Sequence, residues 1–456
     1  MSREGAIQLA CLYGPLVSAG LLAWWRRPGK WLSVGLLFSL AWIAALLPWL
    51  DALARAAGLW EYHSQAPALA GMPLALYFGW IIAWGIFAPL LAHALGGRIW
   101  TTAAVMIALD LRVMPALRPI LELHSRWWIG DFLIAASLLV PSLFIAKWTA
   151  ARTQVGRRCA MLVPAFGGIF LGLPLLVECG NLSGLLGRWQ AFAGVQQTML
   201  LTAGFAFSVL GLTAVRDLAL SGGGTPVPLD PPRRLVTHGI YAFVRNPMQL
   251  SMTALLLLES LFLWNPWPAV LALIGIVYSE GLARWSENQD MRNRFGADWL
   301  RYHQAVRPWW PRWRPRIGEP GALWLDVGCG PCSEVARWFQ HRQPHQLELH
   351  DANAWPGPPL ERVTWHHPSS GRRESGVRAI AMALQHLQLP WAAVGWIAGL
   401  PGISHILQIC FDAAGAGKRS RLTANSCSTP QTPKAAAGSA RCFRHAGSRA
   451  RFPPPR

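Results

Sequence analysis

Seven stretches of apolar residues, near 6–25, 31–49, 74–96, 101–121, 129–149, 160–178 and 196–215, are each about as long as the roughly 17–25 residues a helix needs to cross a bilayer. No other feature constrains the fold as strongly. In hydrocarbon the chain must satisfy its own backbone N–H and C=O groups, and for runs of this length and composition that means α-helices. A shorter pair near 249–264 and 267–283 brings the expected total to about nine spans. With 53% of 456 residues hydrophobic and 14% charged, the chain is too apolar for a soluble protein of several domains. The fourth run is interrupted by Asp110, Arg112 and Arg118, each costly at the bilayer centre unless paired or near an interface.

Orientation follows from where cations gather, because cytoplasmic loops hold the excess of Lys and Arg. Arg26-Arg27-x-x-Lys30, the stretch from Lys147 to Arg158, and Arg233-Arg234 fall on one side, with Asp51, Glu61 and Glu178 in the opposite loops, where Arg118 and Arg126 are exceptions. The N-terminus is therefore expected outside. Residues 222–248 and everything beyond about 284 are expected in the cytosol, with the protein in the cytoplasmic (inner) membrane. Trp24-Trp25-Arg26-Arg27 reads as an interfacial anchor rather than the end of a cleaved signal. The net charge of +19 sits at membrane edges and in the C-terminal tail, without the interleaved aromatic and basic face of a nucleic-acid module. Its expected partner is anionic lipid in the bilayer, with no nucleic acid. The eight cysteines are too scattered for a disulfide framework, and only Cys329 and Cys332 form a motif.

Four regions differ in composition. Residues 1–195 are a multi-span region with no assigned role. Residues 196–315 carry the most informative segment and close with Val306-Arg-Pro-Trp-Trp-Pro-Arg-Trp-Arg-Pro315, suited to a membrane-surface exit. Residues 320–417 change to a soluble pattern: Ala322-Leu-Trp-Leu-Asp326 reads as a buried strand and Ser333 to Gln340 as the start of an amphipathic helix. Residues 418–456 are rich in Ser, Pro, Ala and Arg and are expected to be a disordered basic tail.

The segment from Gly222 to Met248 is dense in Pro and Gly and lies between two apolar runs. Irregular backbone beside spanning helices is tolerated only where protein or a water-filled cavity satisfies it, so the segment should line a site. Arg245 offers a planar fork suited to a carboxylate, and Pro247 fixes the chain just after it. Asn265-Pro-Trp-Pro268 marks the tip of a helical hairpin. The run Pro231-Pro232-Arg-Arg-Leu-Val, the His238-Gly239-x-Tyr241 step, the Arg245-Asn246-Pro247-Met248 box and the later Glu287, Phe295-Gly296 and Tyr302 resemble the signature of isoprenylcysteine carboxyl methyltransferases and phospholipid methyltransferases. The resemblance covers about 196–313. It implies an integral membrane enzyme that uses S-adenosylmethionine, with a cofactor pocket lined by His238, Gly239, Tyr241, Arg245, Asn246 and Pro247 and closed by Glu287. Arg245 and Glu287 are the expected catalytic pair. The chain departs from the family in reading Glu287-Asn288 for paired glutamates, Trp299 for the tyrosine of the Phe-Gly-x-x-Tyr step, Gln249 for an aromatic, and Glu259 for a small residue. Methyl transfer requires the acceptor in line with the sulfonium methyl and shielded from water, more than it requires a strong acid or base. The acceptor stays open between a prenylated carboxylate, a lipid amine, a small thiol and an isoprenoid-type lipid.

Leu325-Asp-Val-Gly-Cys-Gly-Pro-Cys332 admits two readings, the glycine-rich cofactor loop of a Rossmann-like methyltransferase or a dithiol at a helix N-terminus. Cys332 stands where the glycine loop needs its last glycine, and too little chain follows for a seven-stranded sheet, which favours the dithiol. A zinc site lacks a second ligand pair, and no metal is expected. Asp326-x-x-Cys329-x-x-Cys332 followed by Val335-Ala-Arg-Trp338, with Gly376, Leu389-Pro-Trp391 and Leu400-Pro401 beyond, is similar to the thioredoxin-like DCC family of thiol-disulfide oxidoreductases, over about 322–415. That resemblance implies Cys329 and Cys332 as catalytic thiols and a thiol partner protein. The expectation is a mainly α, polytopic transmembrane bundle carrying a methyltransferase core, followed by a small cytosolic α/β thioredoxin-like domain. The alternative is a membrane-anchored dithiol scaffold whose methyltransferase portion is vestigial.

Overall fold

The computed structural model describes residues 3–413, so the tail expected after 418 lies outside the described residues. Apolar runs that must satisfy their own backbone become helices throughout the first 305 residues. In chain order these are α1 (Arg3–Arg26), α2 (Lys30–Ala56), α3 (Leu74–Ala94), α4 (Ile99–Leu117), α5 (Trp127–Ala150), α6 (Val155–Cys179), α7 (Leu182–Gln190), α8 (Gly194–Gly222), α9 (Pro247–Leu263) and α10 (Trp267–Ala305). Eight of them, all but α7 and α9, are long and apolar enough to cross a membrane, and this is an integral membrane protein.

The sequence reading needs two corrections here. The eighth run, near 249–264, forms the 17-residue helix α9, short for a full span. The ninth does not stop near 283. It continues through a polar stretch to Ala305, bent at Gly296, whose φ of 52° and ψ of −125° leave the helical region. A positive φ of that kind favours glycine, which the Phe295-Gly296 step supplies. The hairpin tip is as expected: Trp264 closes α9 in the left-handed region, and the Asn265 side chain accepts from the Trp267 N–H at 3.0 Å.

Among the membrane helices, α2 packs along α5 and α1 along α3. Small residues permit the approach, since a Cβ at Gly35 would lie 2.7 Å from the Ala146 carbonyl oxygen and one at Gly79 2.3 Å from that of Cys11. Ile43, Leu47, Tyr77, Trp84, Leu138 and Leu139 form the core between them. Strands β1 (Trp60–Tyr62) and β4 (Leu121–Leu123) pair antiparallel beyond the ends of α2 and α4, and β2 (Ala68–Leu69) pairs with β3 (Met72–Pro73).

The chain divides into two compact units, Met1–Arg316 and Ile317–Arg456. In the second, β5 (Gly321–Leu325) runs through α11 (Gly330–His341) into the parallel β6 (Leu347–Asp351). Strands β7 (Thr364–His367) and β8 (Arg372–Ser375) continue the sheet antiparallel, in the order β6-β5-β7-β8. Helix α12 (Val377–Leu384) follows, and its Ala379 and Met382 join Leu323, Leu325, Phe339 and Trp365 in the core. The region expected to be soluble ends in two apolar helices, α13 (Leu389–Gly399) and α14 (Pro401–Ala413), bent 89° apart.

Candidate active site

The segment after α8 is irregular backbone held by side chains rather than by secondary structure. Gly223 leaves the helix in the left-handed region, and the Gly222 carbonyl accepts from the Arg233 N–H at 2.7 Å. Asp230 then turns inward. Its carboxylate meets Arg158 of α6 at 2.6 Å, with the two side chains 3% and 1% exposed. The Asp230 carbonyl accepts from the Thr225 N–H at 3.0 Å, closing the loop on itself. A buried ion pair of this kind costs desolvation, but once made it strongly penalises loss of either partner. It fixes the loop against α6.

The next residues fold back along α8. His238 is buried and exchanges a 2.8 Å hydrogen bond with the Ser221 hydroxyl. Gly239 takes φ 67° and opens a short 3-10 turn, Gly239–Ala242, whose Ile240 N–H donates to the Asp217 carboxylate at 3.3 Å. Tyr241 lies within that turn, buried, with its hydroxyl on the Ala214 carbonyl at 3.4 Å. Burial, helped by the Tyr302 charge, keeps its phenol pKa well above the ordinary value, so the hydroxyl stays protonated.

Arg245 and Asn246 pair by backbone with the chain leaving α10: the Arg245 N–H donates to Arg307 at 2.9 Å and the Asn246 N–H to Pro308 at 3.1 Å. The Arg245 guanidinium reaches the end of α10, where Nη1 donates to the carbonyls of His303 at 2.8 Å and Val306 at 3.3 Å. A cation at a helix C-terminus satisfies orphan carbonyls and complements the dipole. Partial burial pulls its pKa below the ordinary value, an effect opposed by Tyr302, Glu280 and Glu287. Asn246 caps α9, and Pro247 occupies its first turn, where a missing N–H costs nothing. The Tyr302 hydroxyl donates to the Tyr241 carbonyl at 3.0 Å, tying α10 to the turn.

Six of the seven expected pocket residues, His238, Gly239, Tyr241, Arg245, Asn246 and Pro247, therefore lie in one continuous turn of chain between the end of α8 and the end of α10. Glu287 stands on an exposed face of α10, and its charge reaches Arg245 and Tyr241 without a close ion pair. Sequence reasoning did not single out Asp217, Ser221, Glu280, or Arg158 with Asp230. Arg158 had been read only as part of a cationic loop, yet an arginine one residue from an apolar run was a signal for a buried partner. Glu280 accepts from the Trp309 indole at 2.6 Å and pairs with Arg284 at 2.8 Å.

S-adenosylmethionine carries a carboxylate, an ammonium, a sulfonium and an adenine. The region around Arg245 offers a cation, the carboxylates of Glu280 and Glu287, and the rings of Trp299, Tyr302 and His303 in tilted contact along one stretch of α10. Three buried polar atoms here, Ser279 Oγ, His303 Nε2 and Arg312 Nε, have no hydrogen-bond partner among the described residues. Buried polar groups are normally paired, so this residue set fits a polar ligand of that kind.

In the second unit, Cys329 caps α11 and Cys332 lies in its first turn. The Cys329 N–H donates to the Asp326 carbonyl at 3.2 Å, and the Asp326 carboxylate receives the Gly328 N–H at 3.0 Å. Burial first, and then a hydrogen bond with Cys329, push the Cys332 thiol pKa up to about 11. Among the described residues no three His, Cys, Asp or Glu side chains gather to hold a metal ion.

The family model for phospholipid methyltransferases matches residues 195–298. The match runs from the start of α8 to just short of Trp299, so it takes in the whole irregular segment and most of α10. It does not reach Cys329 or Cys332. No curated protein and no solved structure matches the chain. Joined to the apolar helices, the match supports a membrane methyltransferase in general terms.

Proposed function

We propose that the membrane unit is an S-adenosylmethionine-dependent methyltransferase acting on a lipid-like or membrane-accessible acceptor. The observation that carries this reading is that the family match takes in a segment of irregular backbone clamped between α6, α8 and the end of α10. Arg245 is the group assigned to the cofactor carboxylate, through the donors that α10 leaves free. Glu287 and Glu280 would offer carboxylates to its positive end, and the loop of residues 223–238 would help to exclude water from the bound cofactor. When bound, the cofactor supplies the methyl group. The chain's part is to hold acceptor and sulfonium in line. The test is calorimetric binding of S-adenosylmethionine to the detergent-purified full chain, with S-adenosylhomocysteine as competitor. Saturable, competed binding is expected. Its absence in folded protein would return the membrane unit to a vestigial scaffold.

A second reading concerns Cys329 and Cys332. We propose dithiol exchange, supported by the helix-capping position of Cys329, the raised pKa of Cys332, and a β6-β5-β7-β8 sheet whose parallel pair is joined by the helix bearing both thiols. This order accords with a thioredoxin-like arrangement. The Cys329 thiolate attacks a substrate disulfide, forming one S–S bond as the first substrate thiolate leaves. Cys332 then loses its proton and attacks the Cys329 sulfur, releasing the second substrate thiolate and leaving the Cys329–Cys332 disulfide. Cys332→Ser should accumulate mixed disulfides through Cys329, and Cys329→Ser none. Equal, slow alkylation of both thiols in the wild type, with no intramolecular disulfide under mild oxidant, would sink this reading.

A further inference from the structure

We propose that Asp110 and Asp131 form a proton-binding site within the N-terminal bundle, two carboxyls holding one proton between them. Neither belongs to the methyltransferase segment. Asp110 lies on α4 and Asp131 at the start of α5, at 7% and 3% exposure, and the two carboxyls are within hydrogen-bond reach of each other. Trp80 of α3 donates its indole N–H to Asp110 Oδ1 at 2.9 Å. Oδ2 of each aspartate has no donor among the described residues. An ionised carboxylate only accepts, so a hydrogen bond between two of them requires a proton on one.

Asp51 in the same bundle shows how the fold satisfies a buried carboxyl with donors. It receives Arg55 Nε at 2.9 Å, Trp60 Nε1 at 3.0 Å and the Tyr62 hydroxyl at 2.8 Å. At Asp110 and Asp131, four carboxyl oxygens share one indole. Among the described residues, Trp80 is the only hydrogen-bond donor to the pair, and neither Oδ2 has a partner. Two neighbouring anions in a low-dielectric interior, with no cation beside them, repel too strongly for both to stay charged. A divalent metal is the wrong occupant, because among the described residues no third His, Cys, Asp or Glu joins them. The ligand class is therefore a proton. Carboxyls buried this fully within a membrane helix bundle are expensive and are usually retained for proton or ion traffic.

The test is infrared spectroscopy of the full chain in nanodiscs, exchanged from H₂O to D₂O at neutral pH. It is run in a Glu259→Gln background, because Glu259 is a separate buried carboxyl with no partner among the described residues. A protonated-carboxyl C=O band that shifts in D₂O is expected. Asp131→Asn and Asp110→Asn should each shift or abolish it, since the hydrogen bond between two carboxyls is lost in both. Absence of the band in the parent, or a band unchanged in both variants, overturns the proposal. So does a parent without the band whose melting temperature rises with sodium or potassium, which assigns the site to a metal cation. If one Asn variant does not fold, the other decides, and absence of the band in the parent overturns the proposal whatever the variants do.

Discussion

Arg245 has two claims on it. Its Nη1 already serves the carbonyls of His303 and Val306, while the function proposed above would give the rest of the fork to the cofactor carboxylate. Arg245→Ala separates the two roles. Loss of the cap alone should lower the melting temperature with S-adenosylmethionine affinity unchanged; loss of a charged ligand contact should cost about 2–4 kcal/mol of binding, roughly 30- to 1000-fold. Both effects are expected. Arg245→Lys should recover part of the stability but little of the binding, since one ammonium cannot serve helix end and carboxylate together. Unchanged affinity in Arg245→Ala would leave it a structural residue only. The Arg158 and Asp230 pair has no such ambiguity. Asp230→Ala strands a guanidinium that is 1% exposed and should cost about 3–5 kcal/mol, read as a lowered midpoint of unfolding. Arg158→Met with Asp230→Leu should recover most of that loss, because no buried charge remains. Arg245 was legible in the sequence because a fork beside an apolar run is a chemical signal. Asp230 was not, because a carboxylate in a Pro-rich loop reads as solvated until its partner, 72 positions away, is known.

The legibility of an element depended on what forces it to form. The membrane runs were legible because hydrocarbon permits one backbone solution, and the α9–α10 hairpin because Asn265-Pro-Trp-Pro268 can continue no helix. The overrun of α10 was not, since Arg284, Glu287, Asp290, Arg294 and Asp298 carry no apolar stripe to signal it. In the second unit, β5 was read from its apolar run. Strand β8, Arg372-Arg-Glu-Ser375, owes its existence to pairing with β7 and has no strand signature of its own. The sheet also carries a pH dependence through His386. This imidazole is buried, bonded to the His345 carbonyl at 2.9 Å and receiving the Trp365 indole at 3.3 Å. Burial lowers its pKa to about 4, the bond to His345 acting the other way. An unfolded histidine titrates near about 6.5, so between those values the unfolded chain binds a proton that the folded one refuses. Stability is thus fully present above about pH 6.5 and declines as pH falls toward about 4, at most by about 1.4 kcal/mol per pH unit. Hydrogen exchange of the β5 and β7 amides, corrected for intrinsic rates, should show this decline in the wild type and a flatter profile in His386→Gln. Identical profiles would mean that His386 titrates alike in both states.

At the scale of the whole molecule, the side on which the chain leaves the membrane follows from backbone hydrogen bonds rather than from counting spans. With α9 only 17 residues long, a count of eight or nine spans would put the exit on opposite sides. The pairing removes the ambiguity. Arg245 with Arg307, Asn246 with Pro308, and the Ala242 carbonyl with the Arg316 N–H place the start of α9 beside the end of α10, so the hairpin returns to the side it left whether or not α9 crosses fully. Arg26, Arg27 and Lys30, the stretch from Lys147 to Arg158, and Arg233 with Arg234 border that same side, as α1 to α2, α5 to α6 and the end of α8 alternate through the bilayer. We propose, from the excess of cations there, that it is the cytosolic side. A fluorescent reporter that folds only in the cytosol, fused after Pro315, should therefore be bright, and a periplasm-dependent phosphatase at the same point inactive. The opposite pair of results would reverse the orientation. It would also take Cys329 out of the reducing compartment in which a dithiol starts reduced, so the topology experiment bears on both proposed chemistries at once.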